Sequence, residues 1–348
     1  MKKLESSHQN HSIKRRVFSF PGKMIFLFGT VILFILLFIS SIHARISQTG
    51  DNYSGSVTML KFSDTVKTYV GELFLATPGY GAYAIHFDNR GLMYIVKANT
   101  PGTGKLSRVT PEGTMTDIAS LSGTHIGPGL DMDKEENFYI PLGDHVVKVT
   151  PKGEVISLFT CSSMGIKRAI DLVLDSQNNI YIADDIQDKV FKIDTLLNST
   201  VYIDNRLGRE QQYSLSDIFF DPDFKNMYLV ECARRRILRY PINEQGFPGT
   251  AEILYENSRI GQLFNLALAE DSTIVTVPVE GKKLVIITNE GTAEYFLSDA
   301  FYVIAARYGG AGFDSNSIYL TTRKGVIRVD LLHPSEINSQ KEAVPADF

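Results

Sequence analysis

A four-strand unit repeats six times along the chain, and no other feature constrains the fold as strongly. The first strand of each unit ends at an acidic or small residue, and these end points recur every 42–48 positions, at Asp88, Asp133, Asp175, Asp221, Ala269 and Asp314. A second strand follows in each unit, with the sequences LMYIV, NFYIP, NIYIA, NMYLV, STIVTV and SIYLT. Such a period is typical of a β-propeller.

The third strands and the turns after them repeat in the same phase. The third strands are KLSRVT, HVVKVT, KVFKID, RILRYP, KLVIIT and GVIRVD. Pro-Glu-Gly at 111–113 and Pro-Lys-Gly at 151–153 are turn sequences that lead into a fourth, outer strand. The sequence therefore predicts an all-β fold, a six-bladed β-propeller of four-stranded blades over residues 69–332.

The sixth unit supplies only three strands, because a polar tail over residues 333–348 follows it. Two segments before the first unit could provide the missing outer strand, SVTMLKF at 56–62 and YVGELFLA at 69–76. We expect the second to complete the last blade, because an N-terminal strand at that position removes an open sheet edge.

The residues before the propeller divide into three segments. Residues 1–23 are basic, residues 24–42 carry no charge, and residues 43–68 form a polar tether. An uncharged segment of this length can span a bilayer as a helix. The preceding positive charge predicts a cytoplasmic N-terminus and an extracytoplasmic propeller, in a single-pass membrane protein with a signal-anchor. A cleaved signal peptide is the alternative, because Ser40, Ser41 and Ala44 are small.

The charge and the cysteine content limit the partners and the redox chemistry. The net charge of −4 does not indicate a nucleic-acid partner. Cys161 and Cys232 are too few for a disulfide framework. One disulfide and two free thiols both remain open.

The fourth unit carries a recognisable motif. Its sequence YLVECARRRILRYPINEQGFPG resembles the corresponding blade of SMP-30/gluconolactonase and strictosidine-synthase-like propellers. NHL-repeat proteins share the general blade pattern. The resemblance implies a six-bladed propeller, and membrane-anchored members are known in this superfamily.

The resemblance also implies a divalent cation, usually calcium, held in the channel by one Glu, two Asn and one Asp. The corresponding positions are Tyr83, Ile170, Ser216 and Phe264. Because two of these side chains offer no oxygen, the metal site looks lost and no cofactor is expected. A shift of one residue would instead place Asp171, Asp217 and Asn265 there, so calcium remains open.

Several other residues are candidates for binding. Asp171, Asp217 and Asn265 could form a polar ring at the mouth of the channel, or they could bond backbone amides in each repeat. His125 and His145 lie in or beside loops that we expect on the functional face. Glu231 lies beside Arg234–Arg236, a corner that could hold an anion or could compensate its own charge.

Two further observations concern residues that we place in the framework. Asp131, Asp133 and Glu135 in DMDKEEN are interpreted as the hairpin between the first two strands of blade 2. His86 is predicted mid-strand, as a core or inter-blade residue. We expect the ligand site at Tyr83, His125, Asp171, Asp217, Glu231 and Asn265.

These features favour a membrane-tethered extracytoplasmic propeller that binds a small molecule or a protein partner through its loop-rich channel face. The first alternative is a metal-dependent lactonase or arylesterase-type hydrolase, which the resemblance implies. The second is an enzyme that condenses an amine with an aldehyde, for which the sequence places no catalytic acid.

Overall fold

Six four-stranded antiparallel blades surround a central axis in the computed structural model of the chain. The structure describes residues 68–100, 102–206, 215–259, 261–269, 271–288, 291–298 and 302–331. The six-bladed propeller predicted from the repeat is confirmed. The predicted membrane span, residues 24–42, lies outside the described residues. Among the described residues, no helix has the length and apolarity that crossing a membrane requires.

The first three blades follow one another along the chain, each running from its innermost to its outermost strand. Blade 1 contains β2 (Gly81–Phe87), β3 (Met93–Thr100), β4 (Thr103–Val109) and β5 (Met115–Ser122). Blade 2 contains β6 (Asp131–Met132), β7 (Phe138–Pro141), β8 (His145–Val149) and β9 (Val155–Thr160), and a 3-10 turn follows at Cys161–Met164. Blade 3 contains β10 (Ala169–Leu174), β11 (Ile180–Asp184), β12 (Lys189–Ile193) and β13 (Ser199–Asp204).

The remaining blades use the same strand order. Blade 4 contains β14 (Leu215–Phe220), β15 (Asn226–Glu231), β16 (Arg236–Pro241) and β17 (Glu252–Glu256). Blade 5 contains β18 (Ala267–Leu268), β19 (Ile274–Thr276), β20 (Lys283–Thr288) and β21 (Gly291–Ser298). Blade 6 contains β22 (Ala306–Tyr308), β23 (Ser317–Thr322) and β24 (Gly325–Asp330), with β1 (Thr68–Ala76) as its outer strand.

The N-terminal strand β1 closes the propeller, as predicted. It pairs antiparallel with β24, from Gly71 opposite Val329 to Ala76 opposite Gly325. Its first three residues also pair in parallel with the end of β21 in blade 5. The last blade therefore has no missing strand, and β1 also links blades 5 and 6 through backbone hydrogen bonds.

The propeller has two faces of different construction. The turns between the first and second strands and between the third and fourth strands form one face, which we call the hairpin face. The links between blades and the turns between the second and third strands form the other, the loop face. Residues equivalent in the six blades therefore lie at similar depth along the axis.

One strand end differs from the sequence prediction. The pattern placed the end of the first strand of blade 6 at Asp314, but β22 ends at Tyr308. The hairpin of this blade is longer, and Gly309 opens it with a hydrogen bond to the carbonyl of Ser317. Asp314 resembles the other strand-end aspartates in sequence, but it lies inside the turn.

The core lies between the blades. Among the described residues, six clusters of buried apolar side chains each join two neighbouring blades. The alternation of side chains along each strand directs one set towards the preceding blade and the other towards the next. The burial of apolar surface between blades is therefore the main stabilising contribution to the fold.

The aspartates that open the hairpins explain why the repeat is so regular. In blade 2, Asp133 accepts hydrogen bonds from the Asn137 amide at 2.8 Å, the Asn137 side chain and the Tyr139 hydroxyl at 3.1 Å. Asp88 and Asp175 accept from the tyrosine six residues later, also at 3.1 Å. We call Asp88, Asp133 and Asp175 the hairpin carboxylates. Each fixes its turn and the following strand.

Candidate functional site

The same backbone hydrogen bond opens every hairpin, and it identifies equivalent positions in the six innermost strands. In blade 1, the Asp88 amide donates to the Leu92 carbonyl at 3.0 Å. The amides with this role in the other blades belong to Asp133, Asp175, Asp221, Ala269 and Gly309. Residues two and four positions earlier point the same way from the strand, because side chains alternate. They form two rings around the axis.

The ring nearer the hairpins consists of the residues two positions earlier, and we call it the channel ring. Its members, from blade 1 to blade 6, are His86, Asp131, Val173, Phe219, Ala267 and Arg307. The strand register supports the equivalence, because all except Ala267 pair with a tyrosine of the second strand. Blades 6, 1 and 2 supply polar side chains, whereas blades 3, 4 and 5 supply apolar ones. One half of the ring is therefore polar.

The residues four positions before the hairpins form the second ring, which we call the staple ring. Its members, from blade 1 to blade 6, are Ala84, Gly129, Asp171, Asp217, Asn265 and Ala305. Here the polar residues belong to blades 3, 4 and 5. The two rings therefore carry their polar side chains on opposite halves of the channel.

The aspartates of the rings link neighbouring blades through backbone amides. Asp171 accepts from Leu172 in its own strand at 2.8 Å and from Ile218 in blade 4 at 2.9 Å. Asp217 accepts from Ile218 at 3.1 Å and from Leu266 in blade 5 at 2.7 Å. These carboxylates act as staples between blades.

Asp131 of the channel ring makes the same kind of link. It accepts from the Met132 amide at 2.8 Å and from the Leu174 amide of blade 3 at 2.7 Å. We call Asp131, Asp171 and Asp217 the channel carboxylates. Asn265 bonds within its own blade instead, through both backbone groups of Val277.

Asp171 and Asp217 form an interacting pair of fully buried carboxyl groups. Burial and the charge of Asp217 raise the pKa of Asp171 well above its ordinary value. Burial also raises the pKa of Asp217, although Arg307 opposes the shift. Two neighbouring carboxyl groups cannot both ionise easily in a buried site, and Asp171 is the harder of the two to ionise.

Arg307 reaches across the channel from blade 6. Its guanidinium lies 4.4 Å from the centre of the Phe219 ring in blade 4, and its Nη1 lies 3.9 Å from Asp217 Oδ2. The same Nη1 donates to the carbonyls of Leu266 at 3.2 Å and Ala306 at 2.7 Å. Blades 4 and 6 are not neighbours, so these contacts place the side chain near the axis. A cation stacked on an aromatic ring results.

His86 and Asp131 form the rest of the polar half of the channel ring. His86 Nδ1 lies 3.5 Å from Asp131 Oδ1, and 22% of each side chain is exposed. Burial lowers the pKa of His86; the Asp131 charge opposes this shift and Arg307 adds to it. The imidazole is therefore neutral at neutral pH and can donate or accept a hydrogen bond.

The residues present do not fit the calcium site that the resemblance implies. The register of the inner strands shifts at Tyr83, Ile170 and Ser216, which are bulged residues. Ile170 is buried in the core between blades 3 and 4. Ser216 donates to the Leu263 carbonyl at 3.1 Å. Among the described residues, no group of three or more His, Cys, Asp or Glu could hold a metal ion.

The shifted positions do not fit calcium either. Asp171 and Asp217 together accept four backbone amide hydrogen bonds, whereas calcium requires six to eight oxygen ligands. The oxygens that calcium would need already stabilise the fold.

The other predicted site residues lie outside the two rings. His125 is half-buried on the loop face; burial lowers its pKa, and the nearby Arg168 lowers it further. His145 Nδ1 contacts Asp144 Oδ1 at 2.7 Å. Tyr83 packs partly buried against the core between blades 1 and 2. The six predicted residues therefore do not converge on one site.

Glu231 belongs to the framework between blades 3 and 4. It is fully buried, pairs with Arg236 and accepts from Asn205 Nδ2 at 2.6 Å. Asn205 in turn accepts from the Tyr240 hydroxyl at 2.8 Å. The carboxylate of Glu231 is thus occupied by protein groups.

Both cysteines are buried free thiols. Burial raises the pKa of each to about 11. Of the two alternatives that the sequence left open, the structure contains the free thiols.

Sequence reasoning did not find the partly exposed polar residues of the channel ring, His86, Asp131 and Arg307. His86 was assigned to the core and Asp131 to a hairpin, and Arg307 was not considered. The signal was present, because each of these residues stands two positions before the residue that opens its hairpin. Aligning the repeats on that residue finds the ring in blades 1 to 5, whereas in blade 6 the sequence points to Asp314 and Arg307 follows only from the structure.

Comparisons with known proteins identify the class of fold. The propeller is similar to a gluconolactonase from Xanthomonas campestris, with a TM-score of 0.60 at 9% identity over 73% of this chain and 86% of that one. It is also similar to a luciferin-regenerating enzyme, with a TM-score of 0.58 at 13% identity over 76% and 96%. The virginiamycin B lyase from Staphylococcus aureus gives 0.52 at 13% identity over 76% and 98%.

These similarities establish a gluconolactonase-like six-bladed propeller fold, and the low identities carry no activity with them. No family model matches the chain, and no curated protein matches it. The function must therefore be inferred from the residues of the channel.

Proposed function

We propose that the protein is a binding propeller that holds a small organic molecule in its channel. The observation that carries this proposal is the channel ring, with polar side chains on one half and apolar side chains on the other. Small-molecule sites are mostly apolar, with a few placed polar groups that orient the ligand. The ring has this composition, and four of its six members are partly exposed.

The arrangement favours a ligand with an apolar part and a hydrogen-bonding part. Phe219 offers a partly exposed apolar surface, on which Arg307 already stacks. On the other half, the neutral imidazole of His86 can donate or accept, and the Asp131 carboxylate is held in place by two amides. A ligand that lies across the channel would contact both halves.

Binding can be tested with a panel of small organic molecules against the full-length chain. Compounds that raise the melting temperature would be retested on His86→Phe and Phe219→Ser, which alter the two halves separately. For a ligand that binds in the channel, we expect the rise in melting temperature to be much smaller in both variants than in the parent. Compounds that stabilise both variants as well as the parent would contradict the proposal.

A protein partner on the loop face is the second form of the binding hypothesis. Arg234 and Arg235 lie in the turn between β15 and β16 on this face, and Arg236 begins β16. Since Glu231 compensates Arg236, this corner is less cationic than its sequence indicates. Cross-linking that captures a protein through this corner, with no small-molecule effect at the channel, would favour this form.

We do not extend the proposal to metal-dependent hydrolysis. The positions implied by the resemblance lack calcium ligands. The nearby carboxyl groups of Asp171 and Asp217 already accept backbone amides of the next blade. The geometry supports binding more directly than it supports catalysis.

The proposal includes the membrane anchor expected from the sequence. Residues 24–42 would span the bilayer, with the N-terminus in the cytoplasm and the propeller outside. Protease added to intact cells should remove the propeller and leave the N-terminal tail protected. A propeller that resists protease until the cells are lysed would contradict this topology.

A further inference from the structure

Exposed apolar side chains cluster on the hairpin face of two neighbouring blades. Leu196 is 81% exposed and Phe247 is 64% exposed. Leu197 and Phe224 lie in the same region, at 41% and 36%. We call Leu196, Leu197, Phe224 and Phe247 the apolar ridge. All four lie in hairpin turns of blades 3 and 4.

A chain of contacts links the turns of the two exposed phenylalanines, Phe224 and Phe247. The Phe224 ring lies 5.4 Å from the Phe220 ring, and the Phe220 ring lies 4.9 Å from the Tyr181 ring. Tyr181 contacts Tyr202 at 4.8 Å, and the Tyr202 hydroxyl donates to the Gly246 carbonyl, next to Phe247. The exposed side chains of blade 4 are therefore braced by blade 3.

Two ridge residues, Leu197 and Phe224, have a left-handed backbone conformation, which is unfavourable for residues other than glycine. Leu197 has φ 64°, where the equivalent turns of blades 1 and 2 have Gly113 at 82° and Gly153 at 85°. The three turns share the same hydrogen bonds, from residue 113 to 110, from 153 to 150 and from 197 to 194. A left-handed conformation costs an L-residue roughly 1–2 kcal/mol.

Phe224 has a left-handed backbone in the turn between the first and second strands of blade 4. Its φ is 56°, where blade 1 has Gly91, blade 2 has Glu136 and blade 3 has Asn178. Blades 3 and 4 therefore place large apolar side chains where their sister turns have glycine or polar residues. Phe224 reaches the core through Phe220, but the core leaves Leu196 and Phe247 mostly uncovered.

The path of the chain identifies the surface that meets the ridge. β1 begins at Thr68, beside the end of β21, and reaches the end of β24 on the hairpin face at Gly71, opposite Val329. Leu331, just after β24, bonds to Asn316 in the hairpin turn of blade 6. Residues 43–67 before Thr68 lead back to the uncharged segment 24–42. These 25 residues are the length of chain between the proposed membrane span and β1.

We propose that the apolar ridge inserts into the lipid interface of the membrane, so that the hairpin face lies on the bilayer and the loop face points away. This inference rests on the proposed membrane anchor. Apolar side chains of interfacial segments penetrate about 5–10 Å into the boundary between headgroups and acyl chains. A tether of this length makes even a weak second contact effective, because it raises the local concentration of lipid.

The charges beside the ridge favour a zwitterionic lipid surface. The turns that carry it contain Asp194, Asp223 and Glu244 against Lys225. Lys225 is already paired with Asp223 at 3.0 Å. Attraction to anionic lipid therefore does not drive the contact, and binding should change little with salt.

The chain offers a clean spectroscopic test, because it contains no tryptophan. The full-length Phe247→Trp variant would be reconstituted into phosphatidylcholine liposomes with and without bromine on the acyl chains. We expect bromine to quench its fluorescence. The matched control is Tyr302→Trp on the loop face, 44% exposed and stacked on Arg323, which should not be quenched.

A second variant separates lipid contact from folding. Leu196→Lys with Leu197→Gly copies the Lys152-Gly153 turn of blade 2 into blade 3. In the Phe247→Trp chain it should raise the melting temperature, because the left-handed leucine is removed, and it should remove most of the bromine quenching. Leu73→Thr, which changes an apolar residue 58% exposed on β1, should leave the quenching unchanged.

Flotation of the liposomes distinguishes failure of the ridge from failure of the anchor. Chains that float without quenching at residue 247, or with equal quenching at 302, would overturn the ridge and leave the anchor intact. Chains that do not float at all would contradict both. Fluorescence from residue 247 that is already shifted to the blue without lipid would also overturn the inference, because another segment or a second copy would then cover the ridge.

Discussion

Asp133 of the hairpin carboxylates and Asp171 of the channel carboxylates come from the same repeat, but their pKa values are shifted in opposite directions. Asp133 is surrounded by donors: burial alone would raise its pKa, but the hydrogen bonds of Asn137 and Tyr139 and the charge of Lys148 lower it. Asp171 has another carboxyl group as its neighbour, and its pKa is raised. An aspartate that recurs in a repeat is therefore no guide to its charge or its role, since its neighbours decide both.

The two sets of carboxylates also differ in the parts of the fold that they connect. The hairpin carboxylates organise one blade, because they bind the turn and the tyrosine six residues later. The channel carboxylates join two blades, because one of their amide donors belongs to the next inner strand. The second kind controls how the blades close around the axis.

The largest effect is expected at Asp217. The Asp217→Ala variant leaves the Leu266 amide without its acceptor and leaves Arg307 beside an uncompensated site. Removing one partner of a buried charged pair typically costs about 3–5 kcal/mol. Urea unfolding should show a loss of this size. A loss of unfolding free energy below about 1 kcal/mol would mean that the contacts of Asp217 with blade 5 contribute little to stability.

The next effect is a contrast between two substitutions of the same type. Asp133→Asn turns a donor towards Asn137 and the Tyr139 hydroxyl, and it should cost about 2 kcal/mol. Asp171→Asn turns its amide NH2 towards one of the two backbone amides but removes a carboxyl group whose pKa is raised well above its ordinary value, and it should cost only about 1 kcal/mol. Equal costs in urea unfolding would remove the distinction between the two sets.

The pH dependence of stability should have opposite slopes at the two sites. The lowered pKa of Asp133 stabilises the fold above the unfolded value near 4, and this contribution is lost as pH falls through the folded pKa. The raised pKa of Asp171 stabilises the fold below about 4, and its contribution is lost as pH rises through the folded pKa.

Unfolding free energies measured from pH 3 upwards would separate these slopes. The advantage of the parent over Asp133→Asn should grow with pH, and its advantage over Asp171→Asn should shrink. Slopes of the same sign for the two variants would contradict the assigned protonation states.

The sequence was sufficient for the architecture because the repeat is local. Blades 1 to 4 each combine alternating apolar residues, a hairpin aspartate and a tyrosine of the second strand, and these recur at nearly fixed spacing. The closing strand was also predictable, because YVGELFLA was the second of only two candidates and the sixth unit lacked an outer strand. The end of β22 was missed because Asp314 imitates a hairpin aspartate from within a longer turn.

The site was less predictable because it depends on contacts between blades. The bulges at Ile170 and Ser216 alter the alternation that sequence reasoning assumed for these strands. The sequence shows that Asp171 and Asp217 repeat. Only the packed structure shows that they interact with each other and accept backbone amides of the next blade. Arg307 acts on Phe219 across the channel, a contact that no local pattern contains.

A calcium titration tests the central claim most directly, because the claim is that the channel carboxylates join blades and leave no ligands for a metal. The melting temperature of the full-length chain would be followed with EDTA and with 1 mM calcium. A site with a Kd of about 10 μM would stabilise the fold by roughly 2.7 kcal/mol at that concentration. The account predicts the same melting temperature in both conditions, whereas a rise of several degrees with calcium would contradict it.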